Sequence, residues 1–153
     1  MEIPVELPLD GDGYLRRECP YCEEQFKWLP GGTGSAPADF VDPPVYCCPL
    51  CGRSAPQDAW LTTQQLAYAE QVFAGEAHEF MAEALGGTLK LQRDSMFQIE
   101  VTMSDRPGAP DPLVETDDMM IVVPPCHAWE PLKVPEQSAA PYHCLLCGQA
   151  FAV

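Results

Sequence analysis

Eight cysteines in two clusters carry the most legible chemistry of this chain. The first cluster reads Cys19-Pro20-Tyr21-Cys22, then 25 residues, then Cys48-Pro49-Leu50-Cys51-Gly52. Two residues between cysteines let one tight turn aim both sulfurs at a single ion about 2.3 Å away, and a second such turn completes a tetrahedron. Pro20 and Pro49 pre-set the backbone of those turns, and Gly52 lets the chain close behind the second pair without a Cβ clash. A redox-active pair is the competing reading of Cys-x-x-Cys. It needs a βαβ setting that is missing here, and it gives the partner pair no role.

The second cluster is less regular. Cys144-Leu145-Leu146-Cys147-Gly148 repeats the turn, but upstream there is one cysteine, in Pro124-Pro125-Cys126-His127. Three thiols leave a fourth ligand to find, and a neutral imidazole from His127 or from His143 can supply it. The upstream arm needs a second ligand to close symmetrically, which favours His127, and His143 stays open. Glu130 is a further oxygen donor, although Glu-Pro reads more simply as turn chemistry. The expected sets are therefore Cys19, Cys22, Cys48 and Cys51 on one Zn²⁺, and Cys126, His127, Cys144 and Cys147 on another. Cys47 is left over and reads as a small buried side chain, with a spare reactive thiol as the alternative.

Neither set reads as catalytic. A catalytic zinc keeps one position open for water and draws on His and carboxylate, whereas cysteine-rich sets are closed. No His-x-Glu precedes the C-terminal cysteine pair as deaminase chemistry requires. His78-Glu79 lacks the second histidine of a zincin helix. The chain is expected not to be an enzyme.

Residues 14–53, with Cys19, Cys22, Cys48 and Cys51 as they stand, resemble the zinc-ribbon superfamily, in which two knuckles at the tips of β-hairpins clamp one metal. Members serve in transcription factors, RNA polymerase subunits and ribosomal proteins, so the resemblance implies a fold and those four ligands but no single function. The stretch Tyr14-Leu15-Arg16-Arg17-Glu18-Cys19-Pro20-Tyr21-Cys22 is also similar to small bacterial ribbon proteins, which supplies no activity.

Charge narrows the partners. The formal charge is −15, from 23 acidic and 8 basic residues in 153. Such a surface repels a phosphate backbone, whose binding needs Lys and Arg to displace counterions, and it favours a protein partner with a basic surface. Arg16, Arg17, Lys27 and Arg53 cluster around the first cysteine set, and a nucleic-acid reading would begin there. No apolar run approaches the roughly 18 residues of a membrane span, and the start lacks the basic and apolar regions of a signal peptide. A cytoplasmic protein keeps its thiols reduced, which is the setting expected here.

The elements that must position these ligands read as α+β: two small zinc-ribbon β modules flanking a central helix and a short antiparallel sheet. The expected segments are an extended arm (1–13), an N-terminal ribbon (14–59), a helix with antiparallel strands (60–118) and a C-terminal ribbon-like module (119–153). Seventeen prolines and eleven glycines break the chain into turns, and pieces of about 50 residues need a staple in place of a large core. Thr62, Gln65 and the pair Leu61/Leu66 form a capping box and staple, starting a helix whose apolar stripe runs Leu66, Ala69, Phe73, Ala77, Phe80, Ala84. Gly86-Gly87 is expected to end it. Residues 88–103 alternate as strands about a turn at Asp94-Ser95, and Met119 to Val123 forms another strand. Residues 30–44 read as a tolerated loop insertion. Trp28, Trp60 and Trp129 are expected to cover the metal sites. The acidic groups Glu76/Glu79/Glu83 and Glu115/Asp117/Asp118 read as solvated faces, or as a docking surface for a basic partner.

Overall fold

The computed structural model describes residues 3–92 and 108–153, with side chains for all but 84–92. The fold is α+β, with eight short strands and one long helix among the described residues. The chain divides into two compact units. One, Leu7–Thr63 with Leu113–Val153, holds both cysteine clusters and every strand; the other, Met1–Glu6 with Gln64–Pro112, holds nearly all of the helix.

In the first unit the same order of elements occurs twice. Strands β1 (Leu15–Glu18) and β2 (Gln25–Trp28) form a hairpin whose tip carries Cys19 and Cys22. Strands β3 (Val45–Cys47) and β4 (Ser54–Pro56) form a second hairpin, with Cys48 and Cys51 at its tip. After the helix, β5 (Met119–Val122) and β6 (Leu132–Pro135) flank Cys126 and His127, and β7 (Tyr142–His143) and β8 (Ala150–Phe151) flank Cys144 and Cys147. The modules are joined through their central strands. The main sheet has the order β1-β2-β6-β5, and β2 meets β6 antiparallel with Lys27 opposite Lys133. The sequence predicts two ribbon-like modules but not this junction.

One face of that sheet is the core. Leu15, Phe26, Trp28, Val122, Leu132 and Val134 alternate inward and pack with Trp60, Tyr142, Leu145 and Phe151. Alternation on the half-buried strands accounts for this face. Trp60 stands edge-on to Phe26 at 5.7 Å between ring centroids, so it is a core residue. The buried ligands Cys19 and Cys48 belong to the same cluster.

The other face is an ion-pair network. Lys27 and Lys133 are side by side and wholly buried. Like charges directly opposite in a sheet repel, and Asp10 resolves this by placing Oδ2 at 3.1 Å from the Lys27 ammonium and 2.8 Å from that of Lys133. Asp12 and Asp117 also bond Lys133, and Glu115 and Asp118 complete the set around Lys27. The segment read as an extended arm thus ends in a turn over the sheet, closed by the Asp10 carboxylate accepting from the Asp12 and Tyr14 amides. The acidic run Glu115/Asp117/Asp118 faces these lysines.

In the second unit, α1 (Thr63–Gln92) starts where the capping signal at Thr62 places it. It runs through Gly86-Gly87, which does not end it, so Leu89 and Leu91 are helical. Interior glycine costs only about 1 kcal/mol against alanine, and Leu, Lys and Gln follow. Phe97, Ile99, Val101, Met103 and the Asp94-Ser95 turn lie outside the described residues. Among the stripe residues, Leu66, Phe73 and Phe80 are 49%, 62% and 60% exposed. The apolar side chains meant for a core therefore point outward along much of the helix.

Candidate metal centre

Three of the four ligand-bearing turns share one backbone pattern. The amide of the first cysteine donates to the carbonyl five residues on: Cys19 to Glu24, Cys48 to Arg53, Cys144 to Gln149. The amide four residues on returns a bond to that cysteine, from Glu23, Gly52 and Gly148. That fourth residue is left-handed in each turn, with φ of 60°, 78° and 73°. Glycine takes this conformation without cost, and an L-residue such as Glu23 gives up roughly 1–2 kcal/mol. The Cys126-His127 arm lacks the pattern. Its ligands are adjacent, and the Glu130 amide bonds the His127 carbonyl instead.

Both turns of each module converge. Cys19 Sγ is 3.7 Å from Cys51 Sγ, and Cys22 Sγ is 3.8 Å from Cys48 Sγ. Ligands at 2.3 Å from a tetrahedral ion lie about 3.8 Å apart, so the sulfur spacing is that of a filled tetrahedron. In the second module Cys126 Sγ is 3.6 Å from Cys147 Sγ, and His127 Nδ1 is 3.4 Å from Cys144 Sγ. A mixed sulfur–nitrogen edge is about 3.5–3.6 Å by the same geometry. Within each set the donor atoms all lie within 4.8 Å of one another. All eight cysteines are free thiols, and the two four-ligand groups can hold metal ions. The Tyr21 amide points at Cys19 Sγ, and the Leu50 and Cys51 amides at Cys48 Sγ, each at 3.4 Å, which offsets part of the cost of burying a thiolate there.

The structure brings His127, and not His143, to the three thiols. The His143 ring lies instead on Gly52 of the first module, where a Cβ would come within 2.9 Å of it. Cys47 stands outside both ligand sets and lies on Gly148 of the second module, with Sγ 3.1 Å from where a Cβ would be. These contacts are reciprocal. The residue before each downstream knuckle packs on the glycine that closes the other knuckle, and its amide bonds the residue after the other's first cysteine: Cys47 N to Leu145 O at 2.8 Å, His143 N to Pro49 O at 2.9 Å. The same patch is used on both sides, as in a twofold dimer interface. This doubling is the feature that sequence reasoning missed. Its trace was visible in Cys47-Cys48 and His143-Cys144 with their glycines at equal spacing. No family model, curated protein or solved structure matches this chain.

Gly52→Ala is expected to destabilise the metal-loaded protein by about 2 kcal/mol, combining left-handed strain with displacement of the His143 ring. Glu23→Gly relieves the same strain in a turn without such a contact and is expected to be neutral or stabilising. Urea unfolding at saturating metal compares them.

The four cations around the first cysteine set all have local partners. Arg16 bonds Glu115 at 2.8 Å and Asp118 at 2.6 Å. Arg17 stacks on Trp28 at 4.5 Å, and burial lowers its guanidinium to about 10. Lys27 is buried in the ion network. Arg53 is exposed and stacks on Tyr21 at 4.0 Å.

Trp129 covers the ligand His127, with ring centroids 5.1 Å apart, and Phe40 packs edge-on to Trp129 at 5.5 Å. Trp28 turns to Tyr46 at 5.1 Å. Glu130 is not in the ligand set. Burial, with Asp42 adding to it, pushes its carboxyl up to about 7.

Proposed function

We propose that this chain is a zinc-binding, non-enzymatic adaptor that acts through protein–protein contacts. Thiolate-rich tetrahedral sets select zinc among the common divalent ions. Each group offers four protein donors, so a bound ion has no open position for water, and the metal's contribution is to hold the hairpins. A reducing compartment keeps such thiols available to metal, which supports a cytoplasmic location. Among the described residues no helix is long and apolar enough to cross a membrane.

The observation that carries the adaptor reading is the exposed row Leu66, Phe73 and Phe80 on α1. Seven-residue spacing puts these side chains along one helix stripe, and large aromatic side chains in such a row suit a helix-docking partner. The charge of −15 favours a partner whose apolar patch has a basic rim. Nucleic-acid binding through the first ribbon is the alternative. It is weakened by the engagement of Arg16, Arg17 and Lys27 described above.

Affinity capture with the zinc-loaded protein tests this. The expected result is a protein with a basic surface that rebinds in purified form, with affinity reduced at least tenfold by Phe73→Glu with Phe80→Glu. Retention that survives both substitutions, or that nuclease abolishes, would overturn it.

A further inference from the structure

Beside the second metal site, the 30–44 loop and the end of β2 enclose a cleft of about 320 Å³. Its walls are aromatic, with Trp28, Phe40, Tyr46 and Trp129, and its acidic groups are Asp42 and Glu130. None of the lining residues is basic. Glu130 is only 9% exposed, and its carboxylate has no hydrogen bond or ion pair among the described residues. Asp42 accepts from the Tyr46 hydroxyl at 2.8 Å. The Glu130 side chain is thus nearly enclosed with its carboxylate on the cleft, and the neighbouring acid adds repulsion that a cation would relieve.

The cleft is built around that carboxylate. Gly32, at φ +62°, passes so close that a Cβ would lie 2.7 Å from Glu130 Oε2. Thr33 fixes the loop by donating from its amide and its hydroxyl to the Trp129 carbonyl, at 3.0 and 3.1 Å. The sequence reads this segment as a tolerated loop insertion, and in the fold it supplies one wall of a concave site.

A hard divalent ion draws on oxygen ligands and retained water, and the aromatic walls of this cleft offer it neither. Rings around an acid suit a large, weakly hydrated cation, whose charge is stabilised by the ring quadrupoles and whose alkyl groups fill the apolar walls. One face of Trp28 already carries the Arg17 guanidinium in this way.

We propose that this cleft binds an organic ammonium cation, with the alkylated nitrogen among Trp129, Phe40 and Tyr46 and its charge toward Glu130 and Asp42. The site goes beyond the adaptor reading and uses no residue of the helix, so either can fail without the other. The cation can arrive as a free amine or as a lysine side chain on a protein.

The test is a titration of the zinc-loaded full chain with choline, followed by tryptophan fluorescence, beside its uncharged isostere 3,3-dimethylbutanol. Saturable choline binding at least tenfold tighter than the isostere is expected. Glu130→Gln, which keeps the shape of the side chain, should weaken choline about tenfold with zinc content unchanged. Phe40→Leu, which keeps the wall apolar, should weaken choline more than the isostere. Should Glu130→Gln lose zinc, Asp42→Asn replaces it with the same expectation. A peptide bearing one trimethyllysine distinguishes the source: tighter binding than choline points to a protein side chain, equal or weaker binding to a free amine, and either supports the site. Equal affinity for choline and its isostere, no binding of either, or indifference to the carboxylate substitution would overturn it.

Discussion

Chelation of the intact protein is expected to unfold both cysteine-bearing modules in one transition. Structural zinc in small domains contributes roughly 10–16 kcal/mol of apparent binding energy at neutral pH, more than the 5–15 kcal/mol by which an ordinary domain is stable. The modules do not own separate cores. Cys19 and Cys48 from the first share one apolar cluster with Leu145, Tyr142 and Phe151 from the second, and the sheet runs through both. Loss of either ion frees a hairpin on which the other module packs. Tryptophan fluorescence should therefore change in a single step as chelator is added, whereas part of the far-ultraviolet helical signal persists because α1 belongs to the other unit. Acid should act in the same direction. Burial pushes the Cys48 and Cys144 thiols up in the absence of metal, so loading must displace protons, and affinity falls as pH falls. Two well-separated fluorescence steps would show independent modules.

Asp10→Ala is expected to be the most damaging substitution away from the ligands, at about 3–5 kcal/mol, the range for removing one partner from a buried ion pair. Its carboxylate is the bridge between two buried ammonium groups, and the flanking Asp12 and Asp117 are about half exposed. Asp10→Asn can keep Oδ1 as acceptor for the Asp12 and Tyr14 amides, but its amide nitrogen then turns a donor toward both ammonium groups, so its cost should be comparable. The pH dependence follows. Burial alone would raise the Asp10 carboxyl, but hydrogen bonds from Lys133, the Tyr14 amide and Lys27 outweigh it and hold the group well below the usual carboxylate range. A depressed native value means that this stability is fully present above the unfolded value of about 4 and is lost as pH falls through the native one. Urea unfolding of the zinc-loaded variants at neutral pH measures the difference. A loss under about 1 kcal/mol would be the behaviour of an exposed pair.

The two candidate ligand sets were legible because their geometry is local. A Cys-x-x-Cys turn builds half a tetrahedron from four consecutive residues, and the glycines at 52 and 148 mark where it closes. The helix start was legible for the same reason, through Thr62. What stayed hidden depends on residues far apart in the chain. Lys27 read as part of a basic patch and nothing in the sequence singled out Lys133, until β2 meets β6 and places them opposite each other. The acids at 115, 117 and 118 read as a solvated run because their partners are about 90 residues or more upstream or on a later strand. Gly86-Gly87 misled as a stop signal, since two glycines lower helix propensity without supplying a cap. The reciprocal seating of Cys47 and His143 could be suspected from spacing, but only the fold shows that each lies on the other module's glycine.

Intact mass of the purified chain under native and then denaturing conditions decides whether metal or disulfides hold the cysteines. Two filled sites give a native mass heavier by two zinc ions and a denatured mass with all eight cysteines as free thiols. A native mass equal to that of the bare chain, or a denatured mass short of two hydrogens for each joined cysteine pair, would contradict two filled sites.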